Sequence, residues 1–156
     1  MIVVVMGVSG AGKTTIGKLL AARLGCEFLD GDDFHPPQNI ARMAAGTPLT
    51  DLDRRAWLEC LNEKLKEKES IVLACSALKQ AYRDRLVRGL SACRFVHLRG
   101  SVELIRARLK ERRHRYMPAS LLESQFAALE PPLGAVEIDV ELPLERCVED
   151  ILAKLA

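Results

Sequence analysis

Met1-Ile2-Val3-Val4-Val5-Met6-Gly7-Val8-Ser9-Gly10-Ala11-Gly12-Lys13-Thr14-Thr15 is the stretch that decides how this chain folds. Six apolar, largely β-branched residues in a row read as a strand buried on both faces of a parallel sheet. Gly7 to Thr14 follows at once and satisfies G-x-x-x-x-G-K-[ST] in full. Lys13 to Leu24 then takes helical spacing, with Ile16, Leu19, Leu20 and Leu24 on one face and Gly25 as a stop. Strand, glycine-rich loop and helix in that order make a phosphate cradle. The backbone N–H groups of Gly7, Val8, Ser9, Gly10, Ala11 and Gly12 can curl around phosphate oxygens with no Cβ in the way at the glycines. Lys13 should reach the β and γ phosphates, and the Thr14 hydroxyl should ligate Mg²⁺. Thr15 completes the first helical turn, whose positive dipole end favours an anion. The expected ligand is a nucleoside triphosphate, ATP.

Working outward, the chain alternates strands with helices. Glu27-Phe28-Leu29 reads as a second strand, Ile71 to Cys75 as a third, Arg94 to Leu98 as a fourth and Val136 to Val140 as the last. Between them Pro36 to Ala45 and Lys79 to Val87 read as short helices. Thr50-Asp51-Leu52-Asp53 resembles a capping box and opens a longer helix that buries Trp57, Leu58, Leu61 and Leu65. Ser101 caps a helix running to about Glu111, another spans Ala119 to Ala128, and the closing helix buries Val148, Ile151, Leu152 and Leu155. The class is therefore α/β: a three-layer α/β/α sandwich around a five-stranded parallel sheet. Ligands in such sheets bind beyond the carboxyl ends of the strands. That assigns the site to Gly7–Thr14, Asp30–Asn39 and Ser76–Arg83.

Composition bounds the rest. The chain has 156 residues, 49% of them apolar, enough for one well-packed domain and not comfortably enough for two. A net charge of +2 is near balance, which argues against a surface built wholly for nucleic acid. The apolar N-terminus lacks a basic leader, and no apolar run reaches membrane-spanning length. Five cysteines, odd in number and without a C-x-x-C pair, read as the free thiols of a cytoplasmic protein, with Cys75 and Cys93 packing as small hydrophobes. His97, inside an apolar strand, reads as a core residue.

The loop alone does not define the chemistry. D-x-x-G and N-K-x-D, expected of a regulatory GTPase, are absent, and the third strand ends Cys75-Ser76 without the aspartate of large ATPases. The acids follow the second strand instead, in Asp30-Gly31-Asp32-Asp33-Phe34-His35. A kinase needs a carboxylate to orient the acceptor hydroxyl and take its proton, and acids to hold Mg²⁺ or its waters. Asp30 is assigned to the Mg²⁺ water shell and Asp32 to the acceptor, while Asp33 fits a solvated turn. His35, on a loop constrained by Pro36-Pro37, fits either a structural role or contact with the acceptor.

These segments together resemble the small gluconokinases, relatives of shikimate kinase and the nucleoside monophosphate kinases. The resemblance rests on Gly7–Thr14, on Phe28-Leu29-Asp30-Gly31-Asp32-Asp33-Phe34-His35-Pro36, on Asn39 to Gly46, and on Pro48-Leu49-Thr50-Asp51 with Asp53-Arg54 and Trp57-Leu58. Ala74-Cys75-Ser76-Ala77-Leu78-Lys79, Tyr82-Arg83-Asp84 and Ser124-Gln125-Phe126 carry it on through most of the chain. It implies one P-loop kinase domain over 1–156 that phosphorylates the 6-hydroxyl of D-gluconate with ATP and Mg²⁺. By position it implies that Asp32, His35, Asn39 and Arg42 face the acceptor, that Lys79 and Arg83 hold its carboxylate from the opposite wall, and that Arg54 and Ser76 reach the same site. Lys13, Asp32 and Arg112 then form the catalytic set.

Arg106, Arg108, Lys110, Arg112, Arg113 and Arg115 crowd one segment. Without interleaved aromatics this is a poor nucleic-acid surface. In the related kinases the same position is a mobile lid, here about 112–118, that closes over ATP and excludes water. Arg108 is expected on the adenine side and Arg112 on the phosphate side. His114-Arg115-Tyr116-Met117 stands where many relatives read Gly-His-Phe-Met, so the family's lid histidine is either replaced by Arg115 or displaced to His114. A kinase of the same fold for another small sugar acid or a shikimate-like acceptor is the nearest rival. A non-catalytic nucleotide sensor is opposed by the intact acids. Neither nucleic acid nor membrane is expected as a partner, and base rates alone favour a homodimer.

Overall fold

The structure, a computed structural model, describes residues 1–111 and 121–156. The expected lid over 112–118, with Arg112, His114 and Arg115, lies outside the described residues. Five parallel strands, β1 (Ile2–Met6), β2 (Glu27–Asp30), β3 (Ile71–Ala74), β4 (Cys93–Arg99) and β5 (Val136–Asp139), form one sheet in the order β2-β3-β1-β4-β5. The first strand is central, pairing Val3 with Val72 on one side and with Arg94 on the other. Its residues are buried along their whole length, as the unbroken apolar run requires of a strand covered on both faces.

Alternation along β1 divides the core in two. Val3 and Val5 face a cluster completed by helices α1 (Lys13–Leu24), α5 (Val102–Glu111), α6 (Leu122–Ala128) and α7 (Leu144–Leu155). Ile2, Val4 and Met6 face a second cluster built on Trp57, Leu58, Leu61 and Leu65 of α3 (Asp51–Lys66) and Tyr82 and Leu86 of α4 (Gln80–Leu86). A short helix α2 (Pro37–Ala44) follows the 3-10 turn Gly31–Phe34. The alternating sequence thus yields the expected three layers. No helix of the described residues is long and apolar enough to cross a membrane.

Local signals hold where they rest on side-chain chemistry. Thr50 and Asp53 form a reciprocal capping box at α3, and the Ser101 hydroxyl accepts the Leu104 N–H at 3.1 Å. Helix α1 buries Ile16 and Leu20 as expected and packs Leu24 against the same core, but Leu19 is 39% exposed, and Gly17 and Ala21 are buried in its place. The reason is Phe28, which packs against Gly17 so closely that a Cβ there would lie 2.5 Å from the ring. His97 is buried in the core as expected.

Candidate active site

The phosphate loop sits at the carboxyl end of β1, the sheet's central strand. Gly12, the residue before α1, has φ 99°, a left-handed conformation that favours glycine. At Gly7 a Cβ would lie 2.9 Å from the Leu98 carbonyl oxygen, so only glycine lets the chain leave β1 there. The Gly7 N–H donates to the Ser76 carbonyl at 3.3 Å, which ties the loop to the end of β3. Lys13 folds back so that its ammonium donates to the Val8 carbonyl at 3.0 Å. Burial lowers its pKa, while Asp32, Cys75 and Asp30 pull it back up.

Two acids at the end of β2 and in the turn that follows, Asp30 and Asp32, meet this loop. Asp30 spans both sides: one carboxylate oxygen accepts the Thr14 hydroxyl at 2.9 Å and the other accepts the Asp32 N–H at 3.0 Å. The second bond caps the 3-10 turn and turns Asp32 toward a cavity of about 320 Å³. Lys13, Asp32, His35, Arg54, Ser76 and Lys79 line that cavity, with Ser9 of the phosphate loop and Gln125.

His35 is held on three sides. Its ring stacks on Trp57 with centroids 4.0 Å apart, and Trp57 donates its indole N–H to the Gly31 carbonyl at 2.8 Å. Asn39 donates one amide hydrogen to the Asp53 carbonyl at 2.9 Å, which orients its NH₂ group, and that group also lies 3.4 Å from His35 Nδ1. Nδ1 must then accept, so the ring proton resides on Nε2, 3.8 Å from Asp32 Oδ1. Burial, reinforced by the nearby Arg54 charge, pushes the His35 pKa down from 6.5 to about 4. The ring is neutral at pH 7, so its approach to Asp32 is a polar contact and not an ion pair.

Two further cations line the cavity, Arg54 and Lys79. Arg54 donates to the Leu49 carbonyl and to Tyr82 Oη at 3.1 Å, and Tyr82 in turn donates to Asp51 at 2.5 Å. The guanidinium of Arg54 and the ammonium of Lys79 lie 5.0 and 5.7 Å from the centre of the Tyr82 ring. Burial, then the bond to Asp51, pushes the Tyr82 pKa up to about 12, so the phenol stays a donor to Asp51 and an acceptor from Arg54.

A nucleotide loop, a pair of acids and a cationic wall around one cavity describe a phosphoryl-transfer site, and comparison with known proteins agrees. The shikimate kinase family model matches residues 9–127. The chain is 48% identical to a gluconokinase from Gluconobacter oxydans, over 97% of this chain and 87% of that one. It is 44% identical to the thermosensitive gluconokinase of Escherichia coli, over 96% and 87%. The crystal structure of a gluconokinase from Sinorhizobium meliloti superposes with a TM-score of 0.90 at 44% identity, covering 98% of this chain and 90% of that one. The chain belongs to the gluconokinase family.

Within this member of the gluconokinase family, not every residue singled out from sequence reaches the cavity. Asp32, His35, Arg54, Ser76 and Lys79 line it. Asn39 does not: it is 1% exposed and spends its amide on His35 and the Asp53 carbonyl, so it orients a cavity residue from behind. Arg42 also lies outside the lining, half-exposed beside Asp53 at 3.9 Å. Arg83 is the largest correction. Instead of presenting a cation to the acceptor, it is 2% exposed and donates to the carbonyls of Ala77, Leu78 and Glu130 and to Gln80 Oε1. It holds Ala77 at φ 46°, a left-handed turn unusual for alanine, and that turn delivers Ser76 and Lys79 to the cavity. Arg108, expected on the adenine side and not in this cavity, donates to the Val140 carbonyl at 2.6 Å just past the end of β5.

Trp57, Tyr82 and Gln125 also serve the site. Trp57 lies on a helical apolar stripe, the pattern of a core residue, and its ring also supports His35. The roles of Tyr82 and Gln125 depend on contacts 28 and 116 residues away in sequence, which no local pattern encodes.

Proposed function

We propose that the enzyme transfers the γ-phosphoryl group of ATP to the 6-hydroxyl of D-gluconate, giving 6-phospho-D-gluconate and ADP. The observation that carries this reading is that Lys13, Asp32, His35, Arg54 and Lys79 line one and the same cavity. Gluconate is an anion at one end and a primary alcohol at the other. Cations and a carboxylate lining one cavity suit a substrate of that polarity.

Each residue then has a task. Asp32 accepts a hydrogen bond from the acceptor hydroxyl, orients it and takes its proton as the new oxygen–phosphorus bond forms. The Nε2–H of His35, neutral at pH 7, is a donor beside that carboxylate and can fix a neighbouring hydroxyl of the acceptor. Lys13 leaves the Val8 carbonyl for the β and γ phosphates. Arg54 and Lys79 hold the carboxylate, and Ser76 contributes a hydroxyl to the same cavity. Arg108 and Arg112 serve the nucleotide from the lid side.

The oxygen donors at the mouth of the loop suit Mg²⁺: the Thr14 hydroxyl and the Asp30 carboxylate already share a hydrogen bond, and both are hard ligands. Thr14 would bind the ion directly and Asp30 through its waters. Bound there, Mg²⁺ supplies charge neutralisation for the phosphate oxygens. The free thiols, none paired, accord with a cytoplasmic enzyme.

The test is a coupled assay of ADP release with gluconate, with other sugar acids, with shikimate and with no acceptor. Turnover is expected with gluconate and is expected to vanish in Lys13→Ala. A rate indifferent to gluconate, or a Lys13→Ala variant of near-normal kcat, would sink the reading.

A further inference from the structure

The inner edge of the phosphate loop carries a contact that the loop motif does not explain. The Ser9 N–H donates to Gln125 Oε1 of α6 at 2.6 Å. The Ser9 side chain is beside it, 6% exposed, with its hydroxyl oxygen buried and without a hydrogen-bond partner among the described residues. A buried hydroxyl left unpaired costs about 1–3 kcal/mol, so it calls for a ligand. Of the residues from Gly7 to Thr14, only Ser9 and Lys13 line the cavity shared with Asp32. The group in transit between loop and acceptor must pass that edge.

A loop N–H of this kind normally meets an anionic oxygen, and here a neutral carboxamide oxygen takes that position. Because Oε1 faces the N–H, the other prong of the carboxamide is a donor NH₂. We propose that Gln125 contacts the transferred phosphoryl group: its oxygen holds the Ser9 N–H before nucleotide arrives, and its NH₂, with the Ser9 hydroxyl, donates to the γ-phosphoryl oxygens afterwards. The inference rests on the ATP-dependent transfer proposed above. Gln125 is itself unchanged by the transfer. The acceptor oxygen bonds to phosphorus, the bond from phosphorus to the β–γ bridging oxygen breaks with its electron pair leaving on ADP, and the acceptor proton goes to Asp32.

Gln125→Glu tests this, since it keeps the size and the acceptor oxygen for Ser9 but replaces the donor with a negative charge. Calorimetry with Mg²⁺ would compare ADP with a non-hydrolysable imido analogue of ATP, beside kcat and KM for gluconate. ADP affinity is expected within about twofold of wild type and analogue affinity down roughly tenfold, because the new charge opposes the γ-phosphoryl group, which ADP lacks. The kcat should fall about a hundredfold, the scale of a lost transition-state donor, with KM for gluconate moving little. Equal losses for ADP and the analogue, or a kcat within about threefold of wild type, would overturn the proposal, the first pointing to a loop-building role only. Gluconate-independent turnover of the wild type would instead remove the activity on which it rests.

Discussion

Lowering the pH should weaken this protein through His35, and the size of the effect follows from its surroundings. The ring stacks on Trp57, its Nδ1 faces the Asn39 amide and its pKa lies at about 4 instead of 6.5. A histidine whose folded pKa is depressed binds its proton more readily in the unfolded chain. Its contribution is therefore complete above pH 6.5 and is lost as pH falls toward 4. Between about pH 7.5 and pH 5, the two pKa values give a loss of about 2 kcal/mol. This is an upper bound, because Asp32 Oδ1 at 3.8 Å would partly stabilise the protonated ring. The assay is urea denaturation of wild type and His35→Gln across that range. Losing the stack lowers the variant's stability at every pH, so the informative quantity is the slope of the difference. Wild type should lose about 1–2 kcal/mol more than the variant on acidification. Parallel curves would mean that His35 is solvated and ordinary, and that the tautomer assigned here is wrong.

Two further outcomes follow from the same geometry. Asp32→Asn should lower kcat by about 10²–10⁴-fold while ATP affinity, measured by calorimetry, survives; loss of ATP affinity instead would move Asp32 to the metal. Arg83→Met should destabilise the fold by about 2–4 kcal/mol in urea, since it strands the carbonyls of Ala77 and Glu130, whereas that of Leu78 keeps the Glu130 N–H. A variant as stable as wild type would restore Arg83 as a candidate for substrate contact.

Most of the architecture was legible because it rests on local chemistry. The run Ile2–Met6 had to be a doubly covered strand, and the loop, caps and later strands follow the same logic. What escaped was set at longer range. The exposure of Leu19 depends on where Phe28 lands. The fate of Arg83 depends on a left-handed alanine, against the residue's own preference, so helix propensity and charge both pointed elsewhere. In the site, Lys13, Asp32, His35, Arg54, Ser76 and Lys79 were readable as chemistry-bearing types next to strand ends or in family segments. Asn39 and Trp57 work one layer behind, where a polar or aromatic residue looks like any other buried one.

The hydrogen bond from the Gly7 N–H to the Ser76 carbonyl has a bearing on how such enzymes can be recombined. It joins the segment that handles the nucleotide to the one that presents Ser76 and Lys79, although about seventy residues separate them along the chain. The two stretches are one mechanical part made from distant pieces of sequence. A chimera that imported the glycine-rich loop from a relative but kept its own β3–α4 turn would mismatch a shared peptide contact. Acceptor preference is therefore best transplanted by exchanging both segments together, with Arg83 as the fastener that travels with them.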